Sequence, residues 1–419
     1  MRGEALPIQE AIQKARVSRR GFIAASAAAT AVLATRRPLH AAETVLLPFA
    51  NGERELVAYP QKRPLIRLTS RPPQLETPLR AFDEGALTAN DAFFVRYHLT
   101  VSPPAAELLE PGKFTLQVKG SVEKPLNLSV ADLKANFDSV QITAVNQCSG
   151  NSRGFVQPRV TGGQSGHGMM GNARWKGVSL KAVLAKAGLK AGAKQVTFDG
   201  LDKGLLPQTP DFVKALEVDH AMDGEVMLAF EMNGEPLPWL NGFPLRLVVP
   251  GYYGTYWVKH LSEIEVLDRT YEGYWMNPAY RIPDNDCACV PPGTKPSKTV
   301  PIGRYNVRSF ITSLQDGENV RSSQPLEVRG FAFDGGEGIR EVLFSQDGGR
   351  NWAGAELGED LGRYSFRRWK AQFRPKDPGP YRLQVRAINR VGHTQPAEAL
   401  WNPAGYMRNV IETVTVSAA

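Results

Sequence analysis

The chain has 419 residues, of which 42% are hydrophobic and 22% are charged, and its formal net charge is +8. This length exceeds that of an ordinary single domain and predicts two or three domains with separate cores. Residues 1–42 hold seven Lys/Arg and two Glu, a net charge of +5, so the rest of the chain carries only +3. Because that charge is mild, and because the later sequence has no run of basic residues, nucleic acid is excluded as the expected partner.

The N-terminal segment has the composition of an export signal. Arg19 and Arg20 stand in a Ser-Arg-Arg-Gly-Phe-Ile pattern, an apolar run follows over 23–33, and small residues surround Ala41 and Ala42. The run of about 11 residues is shorter than the roughly 20 that span a bilayer. We therefore expect residues 1–42 to be a twin-arginine signal peptide, which delivers an already folded protein, often with its cofactor, to the periplasm. The alternative is a basic amphipathic N-terminal helix.

The next part predicts mixed α and β structure. Residues 43–110 are rich in proline and predict an irregular region with short strands and no long helix. Helices are expected over 129–135, with Ser129 as the N-cap, and over 180–187, ending at Gly188. Strands are predicted at 114–119, 141–145, 195–198, 226–231, 245–249 and 264–266.

From about residue 299 the pattern changes to short strands separated by glycine-containing turns. These strands are predicted at 306–312, 326–333, 339–345, 364–373, 379–389 and 409–416. Their number and spacing favour an immunoglobulin-like β-sandwich. The predicted fold class is therefore α+β, with a mixed catalytic domain over 43–298, a linker within 291–301 and a sandwich over 299–419.

The sequence has three cysteines, Cys148, Cys287 and Cys289, so at least one thiol of an exported chain has no partner within it. A disulfide between Cys287 and Cys289 would close a very tight ring, and we expect strain to disfavour it. A zinc site is a poor alternative because a second pair of ligands is missing at the usual spacing. Cys148 is left as the unpaired thiol.

The sequence around Cys148 reads NQCSGNSRGF and places the thiol in a polar loop at the end of a predicted strand. Arg153 lies five residues further on, and a neighbouring cation favours the thiolate, the form that binds a soft metal. Three interpretations stay open from these residues alone: a buried inert thiol, a nucleophile that needs a histidine base, and a thiolate ligand to a metal carried by a cofactor.

Two further clusters carry basic residues. Arg96 and His98 in FFVRYH lie on one face of a predicted strand, which suits binding of an oxyanion or, alternatively, an exposed strand surface. In GFPLRLVVPGYYGTYWVK, Arg246 and Lys259 flank a buried strand and a glycine-containing loop. That arrangement would suit a phosphate, although a single such loop is weak support.

Together these stretches resemble the sulfite oxidase family of molybdopterin enzymes, over roughly residues 80–419. The stretches that carry the resemblance are FFVRYH, CSGNSR, GNARWKGV, EMNGEPLPWLNGFPLRLVVPG with WVK after it, WMNPAY, SQDGGRNW, FRRW and LWNPAG. The sequence is most similar to exported bacterial sulfite dehydrogenases that pass electrons to cytochrome c. The resemblance implies a molybdenum-molybdopterin cofactor and no haem in this chain.

The resemblance also implies roles for individual residues. Cys148 matches the thiolate ligand of molybdenum. The residues that match the oxyanion pocket are Arg96, Arg153, Tyr280 and Arg367, the last of which would reach the pocket from the second domain. The residues that match the pterin site are Phe94, Arg96, His98, Cys148, Asp202, Asn241, Arg246, Trp257, Val258 and Lys259. Asn241 stands where animal members carry histidine, and Asp202 rests on spacing alone.

The implied reaction is oxidation of sulfite to sulfate at molybdenum, followed by two single-electron transfers to a c-type cytochrome. A homodimer and a heterodimer with a cytochrome subunit are both compatible with the sequence. The main alternative is the molybdenum subunit of a sulfane dehydrogenase in a thiosulfate-oxidising complex. A non-catalytic periplasmic binding protein is the alternative from a different class, because a fold does not by itself give a function.

Overall fold

Strands dominate the computed structural model, which describes residues 43–47, 52–100, 104–110 and 112–419. The predicted signal peptide, residues 1–42, lies outside the described residues. Within them, no helix is both long and apolar enough to cross a membrane. The short 3-10 helices span Leu79–Asp83, Ala106–Leu109, Arg153–Phe155, Trp239–Asn241 and Gly254–Tyr256.

The proline-rich region forms one antiparallel sheet of short strands, in agreement with the prediction. Its strands, in sheet order, are β1 (Thr44–Leu47), β2 (Gly52–Val57), β3 (Leu65–Ser70), β4 (Pro73–Glu76) and β5 (Val95–Arg96). In the last pair Gln74 lies opposite Arg96. This pairing places the FFVRYH stretch at the sheet edge and fixes the direction of Arg96.

The central part contains the two predicted helices, a third short helix and two sheets. Its elements are β6 (Leu116–Gly120), β7 (Leu126–Leu128), α1 (Val130–Asn136), β8 (Ser139–Gln147), β9 (Met170–Ser179), α2 (Leu180–Ala187), β10 (Gln195–Gly200), β11 (Lys214–Glu217), α3 (Val218–Ala221), β12 (Met227–Met232), β13 (Glu235–Pro236), β14 (Arg246–Val248) and β15 (Leu261–Leu267). The sheet orders are β11-β10-β15-β6-β7 and β13-β12-β9-β8, and β14 pairs with β12.

The helix boundaries follow from local capping chemistry. The Ser129 hydroxyl accepts a hydrogen bond from the Asp132 backbone N–H at 3.0 Å, while the Asp132 carboxylate accepts from the Ser129 N–H at 2.9 Å. This reciprocal pair is a capping box, which satisfies donors left free at a helix start. At the end of α2 the Gly188 N–H donates to the Leu184 carbonyl at 2.9 Å, with Gly188 at φ 72°.

Strand β9 is a ten-residue element that the periodicity did not predict. A Cβ at Gly177 would lie 1.9 Å from the Leu228 carbonyl oxygen, so the close pairing of β9 with β12 at this point leaves room only for glycine. A glycine at such a close pairing interrupts the alternation of apolar and polar residues that indicates a strand, which is why β9 was not predicted. Strand β9 pairs along the whole of β8 and supports the strand that ends next to Cys148.

The C-terminal part consists of two larger sheets that face each other and a separate two-stranded sheet formed by its first two strands. Its strands are β16 (Arg281–Pro283), β17 (Thr299–Pro301), β18 (Arg308–Ile311), β19 (Glu318–Val320), β20 (Leu326–Phe333), β21 (Ile339–Ser345), β22 (Ala353–Gly354), β23 (Glu356–Leu357), β24 (Arg367–Phe373), β25 (Gly379–Asn389) and β26 (Thr413–Ala418). The sheet orders are β18-β20-β24-β23 and β19-β26-β25-β21-β22. Side chains from both sheets, such as Val328 and Leu383, share one apolar core. The β-rich C-terminal part is thus confirmed, while its immunoglobulin-like topology stays a prediction.

A second, larger core joins this C-terminal part to the central sheets. Phe310, Phe331 and Phe366 are each at most 2% exposed and belong to the same apolar cluster as Val145 of β8. The Val145 N–H also donates to the Tyr364 carbonyl at 2.9 Å. The strand that leads to Cys148 is therefore packed directly against the C-terminal sheets.

The prediction about the paired cysteines is wrong, because Cys287 and Cys289 form a disulfide. Their Cα atoms lie 5.1 Å apart, within the range that a disulfide spans. The intervening Ala288 has φ 49°, a left-handed conformation that turns the chain back on itself. The tight ring is thus accommodated by one unusual backbone angle. Cys148 is the free cysteine.

Candidate active site

Cys148 lies in the loop directly after β8 and is half-buried. Its backbone N–H donates to the Met169 carbonyl at 2.9 Å, and the Asn151 side-chain oxygen accepts from the Met169 N–H at 3.0 Å. Ser152 adopts φ 69°, which turns the loop, and Arg153 lines the same groove as Cys148. These bonds fix the backbone that carries the thiol.

Two concave regions meet at this thiol. The first, which we call the inner cavity, lies between β5, β8 and the segment that follows β14. The second, the outer groove, has a volume of about 880 Å³ and opens to solvent. Both regions share a boundary formed by Arg96, His98, Cys148 and Tyr280. A group held in the inner cavity would therefore meet a molecule in the outer groove at Cys148.

Cations face the outer groove on both sides of the thiol. The Arg153 Nε donates to the Ala404 carbonyl at 2.9 Å, and its guanidinium carbon lies 5.1 Å from the centre of the Tyr406 ring. Arg96 lines the groove from the end of β5. Guanidinium groups bind oxyanions through charge-assisted hydrogen bonds, so this end of the groove suits a small anion.

Tyr280 and His98 form a hydrogen-bonded pair at the boundary. Burial raises the pKa of Tyr280 above its ordinary range, and burial lowers the pKa of His98 well below 6.5. The phenol is therefore protonated and the imidazole neutral, and the two groups share one hydrogen bond. The Tyr280 ring also lies parallel to the Tyr406 ring, with centroids 5.4 Å apart. Tyr280 itself has φ 56°, an uncommon angle for a non-glycine residue.

Buried cations line the inner cavity. The Lys259 Nζ donates to the Arg96 carbonyl at 2.7 Å, and Arg246 donates to the carbonyls of Asn241 at 2.8 Å and Trp257 at 3.3 Å. Burial lowers the pKa of Lys259 to about 7 and that of Arg246 to about 9. Neutral carbonyls compensate two desolvated positive charges only partly, so the cavity favours an anionic ligand.

Comparison with known proteins places these features in a family. Residues 102–275 match the model of the oxidoreductase molybdopterin binding domain, and residues 299–419 match that of the Mo-co oxidoreductase dimerisation domain. The chain is 34% identical to mitochondrial sulfite oxidase of Macaca fascicularis over 379 residues, which cover 86% of this chain and 67% of that protein. It is 33% identical to sulfite oxidase of Gallus gallus, over 83% of this chain and 77% of that protein.

The chain belongs to the sulfite oxidase family. It spans about two thirds of the length of the mammalian sulfite oxidases it matches. Among solved structures it is similar to the sulfane dehydrogenase SoxCD from Paracoccus pantotrophus, with a TM-score of 0.70, 25% identity and coverage of 92% of this chain and 94% of that one.

The inner cavity fits the molybdopterin group that this family binds. Its buried lining includes the Asn146 Oδ1, the Thr255 hydroxyl and the Arg246 Nε, none of which has a hydrogen-bond partner among the described residues. A Cβ at Gly254 would lie 2.3 Å from the Asn146 Oδ1, so a side chain there would crowd this polar surface. A polar, anionic group with several acceptors and donors would satisfy these atoms. Cys148 lies at the cavity edge, where its sulfur would be a soft ligand for the metal of that group.

Most of the predicted site residues lie together. Those that line the inner cavity are Phe94, Arg96, His98, Cys148, Asn241, Arg246, Trp257, Lys259 and Tyr280. Arg153 lines the outer groove instead. Asp202 and Val258 are buried behind the cavity wall, where the Asp202 charge acts on Lys259.

Arg367 is the exception, because the structure does not bring it to the pocket. It lies in β24 opposite Ala332, outside the residues that line the inner cavity and the outer groove, and its NH1 is 3.5 Å from the Asp360 carboxylate. The neighbouring Arg368 points elsewhere too, since it donates to the Phe82 carbonyl at 2.5 Å. The expectation that Arg367 reaches the substrate from the second domain is therefore corrected.

Three residues near the site were missed by the sequence analysis. Lys62 donates to the Asn241 Oδ1 at 2.5 Å and so orients the residue that replaces histidine. Lys214 lies 5.0 Å from the centre of the Tyr280 ring. Tyr406 stacks on the same ring and follows the LWNPAG stretch directly, which could have indicated it. Lys62 and Lys214 stand in no recognisable motif.

A histidine behind the Cys148 loop predicts an acid-sensitive fold. The His167 Nδ1 lies 2.7 Å from the Ser152 hydroxyl, and its ring stacks on Phe155 at 4.2 Å. Burial lowers the pKa of His167 from 6.5 to about 4. Below pH 6.5 the unfolded chain takes up a proton that the folded chain excludes. The contribution of neutral His167 to the free energy of unfolding is therefore complete above pH 6.5. It is lost as the pH falls toward 4, by roughly 3 kcal/mol in total.

Denaturant unfolding at several pH values checks this effect. The variant His167→Gln keeps a polar side chain but cannot titrate, so its free energy of unfolding should fall less steeply between pH 6.5 and 4 than that of the wild type. Equal slopes for the two proteins would contradict the assignment.

Proposed function

We propose that this molybdenum-dependent enzyme of sulfur oxidation converts free sulfite to sulfate and passes the electrons singly to a c-type cytochrome. The observation that carries the proposal is the meeting of the inner cavity and the outer groove at Cys148, with Arg96 and Arg153 on the groove side. Sulfite is a small dianion, and two guanidinium groups beside the metal ligand would attract and orient it.

Each boundary residue has a distinct task in this proposal. When bound, the molybdenum cofactor supplies the oxygen-atom transfer and accepts the two electrons. Cys148 ties that cofactor to the protein, and the buried cations Arg246 and Lys259 hold its anionic part. Arg153 holds the substrate oxygens, while the Tyr280 hydroxyl, kept protonated and hydrogen-bonded to His98, provides a neutral donor at the same place.

The proposed setting is the periplasm. The twin-arginine pattern supports this location and export in the folded state. The match of residues 299–419 to a dimerisation domain supports a homodimer or a heterodimer with a cytochrome subunit. We further propose that residues 43–298 form the catalytic domain and residues 299–419 the dimerisation domain.

One preparation of the full-length protein tests the proposal. Metal analysis should give stoichiometric molybdenum, and sulfite should drive the reduction of cytochrome c in a steady-state assay. Protein that lacks molybdenum after expression with an adequate supply of the metal would favour a non-catalytic binding protein instead. Molybdenum without turnover of free sulfite would reject the substrate.

The outer groove favours a second candidate, a sulfane dehydrogenase that oxidises sulfur attached to a carrier protein. The groove extends well beyond the space that sulfite needs, and its rim includes Arg281 and Lys295. The second-domain arginine expected to close around a small anion is absent from it. The chain also resembles the structure of a sulfane dehydrogenase over nearly its full length. Turnover with a protein-bound sulfur substrate, and not with free sulfite, would establish this candidate.

A further inference from the structure

We infer that the Cys287–Cys289 disulfide loop positions the substrate side of the active site, through Asn402. The inference rests on the proposed function for its substrate, sulfite, but not for its structural readout. Three parts of the chain that contact one another in turn support it. They are the disulfide loop, the segment 402–406 and the side chains that face the groove. We call the segment 402–406 the pocket wall.

The disulfide loop is built to present one backbone carbonyl. Asn285 brackets it, since its Oδ1 accepts from the Cys289 N–H at 3.1 Å and its Nδ2 donates to the Cys289 carbonyl at 2.8 Å. Between the two sulfurs, Ala288 is only 8% exposed and is held at φ 49°. Because an L-residue avoids this angle in a free chain, the covalent ring is what maintains the direction of the Ala288 carbonyl.

Asn402 connects that carbonyl to the pocket wall. Its Nδ2 lies 3.4 Å from the Ala288 carbonyl and 2.9 Å from the Tyr406 carbonyl, and its Oδ1 accepts from the Tyr406 N–H at 3.1 Å. The side chain is 5% exposed, so water competes little for these bonds. A second contact joins the same two segments, because the Val290 N–H donates to the Trp401 carbonyl at 2.9 Å.

The pocket wall in turn holds two groups that face the groove. The Ala404 carbonyl accepts from the Arg153 Nε at 2.9 Å, and the Tyr406 ring lies parallel to that of Tyr280. Gly405 fits closely, since a Cβ there would lie 3.1 Å from the Arg153 Cγ and 2.6 Å from Val160. A shift of the wall would therefore displace the guanidinium that is proposed to bind the substrate.

The metal side of the site has one direct bond to the residue after this wall, from the Met407 N–H to the Ser149 carbonyl at 3.2 Å, and its other contacts are independent of the wall. Cys148 is fixed by β8 and by its bond to Met169, and Arg246 and Lys259 are held by carbonyls of the inner cavity. Loosening the disulfide loop should therefore weaken substrate binding while molybdenum content stays the same. A merely structural role would instead lower stability and cofactor content without a selective effect on KM.

Cys287 is exposed, so a dithiol reaches the disulfide in the folded protein. Dithiothreitol would become oxidised to its cyclic disulfide, and the two sulfurs of the loop would each gain one proton and one electron. The holoenzyme is compared before and after this treatment, with the reductant removed by desalting. We expect the KM for sulfite to rise roughly tenfold, the range of one or two lost hydrogen bonds, with kcat and molybdenum content unchanged.

Two variants make the result decisive. The double variant Cys287→Ser/Cys289→Ser should have the raised KM without any treatment. Dithiothreitol should not change this KM further, which would exclude an effect of the reductant at another site. Asn402→Ala should raise KM similarly, and adding it to the serine pair should change KM little further, because both act through one contact chain.

Hydrogen exchange of the backbone amides at 402–407 provides a readout that does not need turnover. These amides should exchange faster in the reduced protein and in the serine pair. Unchanged exchange and unchanged KM would overturn the inference. So would a loss of molybdenum or of thermal stability with KM unaffected. If the oxidised wild type fails to oxidise sulfite at all, the proposed substrate is wrong, and the exchange measurement still decides the role of the loop.

Discussion

Replacing Cys148 with serine should remove molybdenum from the protein and abolish turnover while leaving the chain folded. The thiolate is the soft ligand that the inner cavity offers at its edge, and a serine hydroxyl is a far weaker donor to molybdenum. Mutation of a residue that only hydrogen-bonds to a metal ligand can already lower metal affinity or activity by about 100-fold. Loss of the ligand itself should lower them by at least as much. Metal analysis and cytochrome c reduction measure both effects.

The pair Cys287→Ser/Cys289→Ser is the matched control, because it makes the same chemical change away from the metal. It should keep its molybdenum and its kcat. A Cys148→Ser variant that retains both metal and activity would show that the metal is bound elsewhere, and the assignment of the site would fail.

Replacing Arg153 with methionine should raise the KM for sulfite by about 10- to 100-fold with a smaller effect on kcat. Hydrogen bonds between charged groups contribute about 1.5–3 kcal/mol each, and methionine removes the charge while keeping much of the side-chain volume. The Arg153 guanidinium faces the groove beside the thiol and is held there by the Ala404 carbonyl. Steady-state kinetics over a range of sulfite concentrations separates the two parameters.

Arg367→Met serves as the control with the same change of charge. Arg367 pairs with Asp360 and does not line the groove, so the KM of the Arg367→Met variant for sulfite should stay close to that of the wild type. A large rise in KM for Arg367→Met, with none for Arg153→Met, would mean that the anion binds on the other side of the site.

The Cys148 loop and the cavity residues were identified through the resemblance to the sulfite oxidase family, which contiguous stretches of sequence carry. NQCSGNSRGF, FFVRYH and GFPLRLVVPG each form one strand end or loop, so short stretches carry the whole local geometry. The helix over Leu180–Ala187 was predictable without that resemblance, since its apolar spacing and Gly188 define both its face and its end.

Features that depend on distant contacts were not predictable. The FRRW stretch suggested a reach into the pocket, but the pairing of β24 with β20 decides where Arg367 points. The Cys287–Cys289 disulfide depends on the left-handed Ala288, which its sequence does not announce. Lys62 is 179 positions away from the Asn241 amide it contacts, and only the folded chain brings the two together.

We expect Lys259 to couple cofactor loading to proton uptake. Burial outweighs the nearby Asp202 carboxylate and leaves this amine with a pKa of about 7, so near neutral pH a large fraction of it carries no charge. An anionic pterin in the inner cavity would restore the ordinary basicity of the amine, so each insertion event draws protons from solution. Insertion should then become more favourable as the pH falls, because the proton that Lys259 takes up is more readily available.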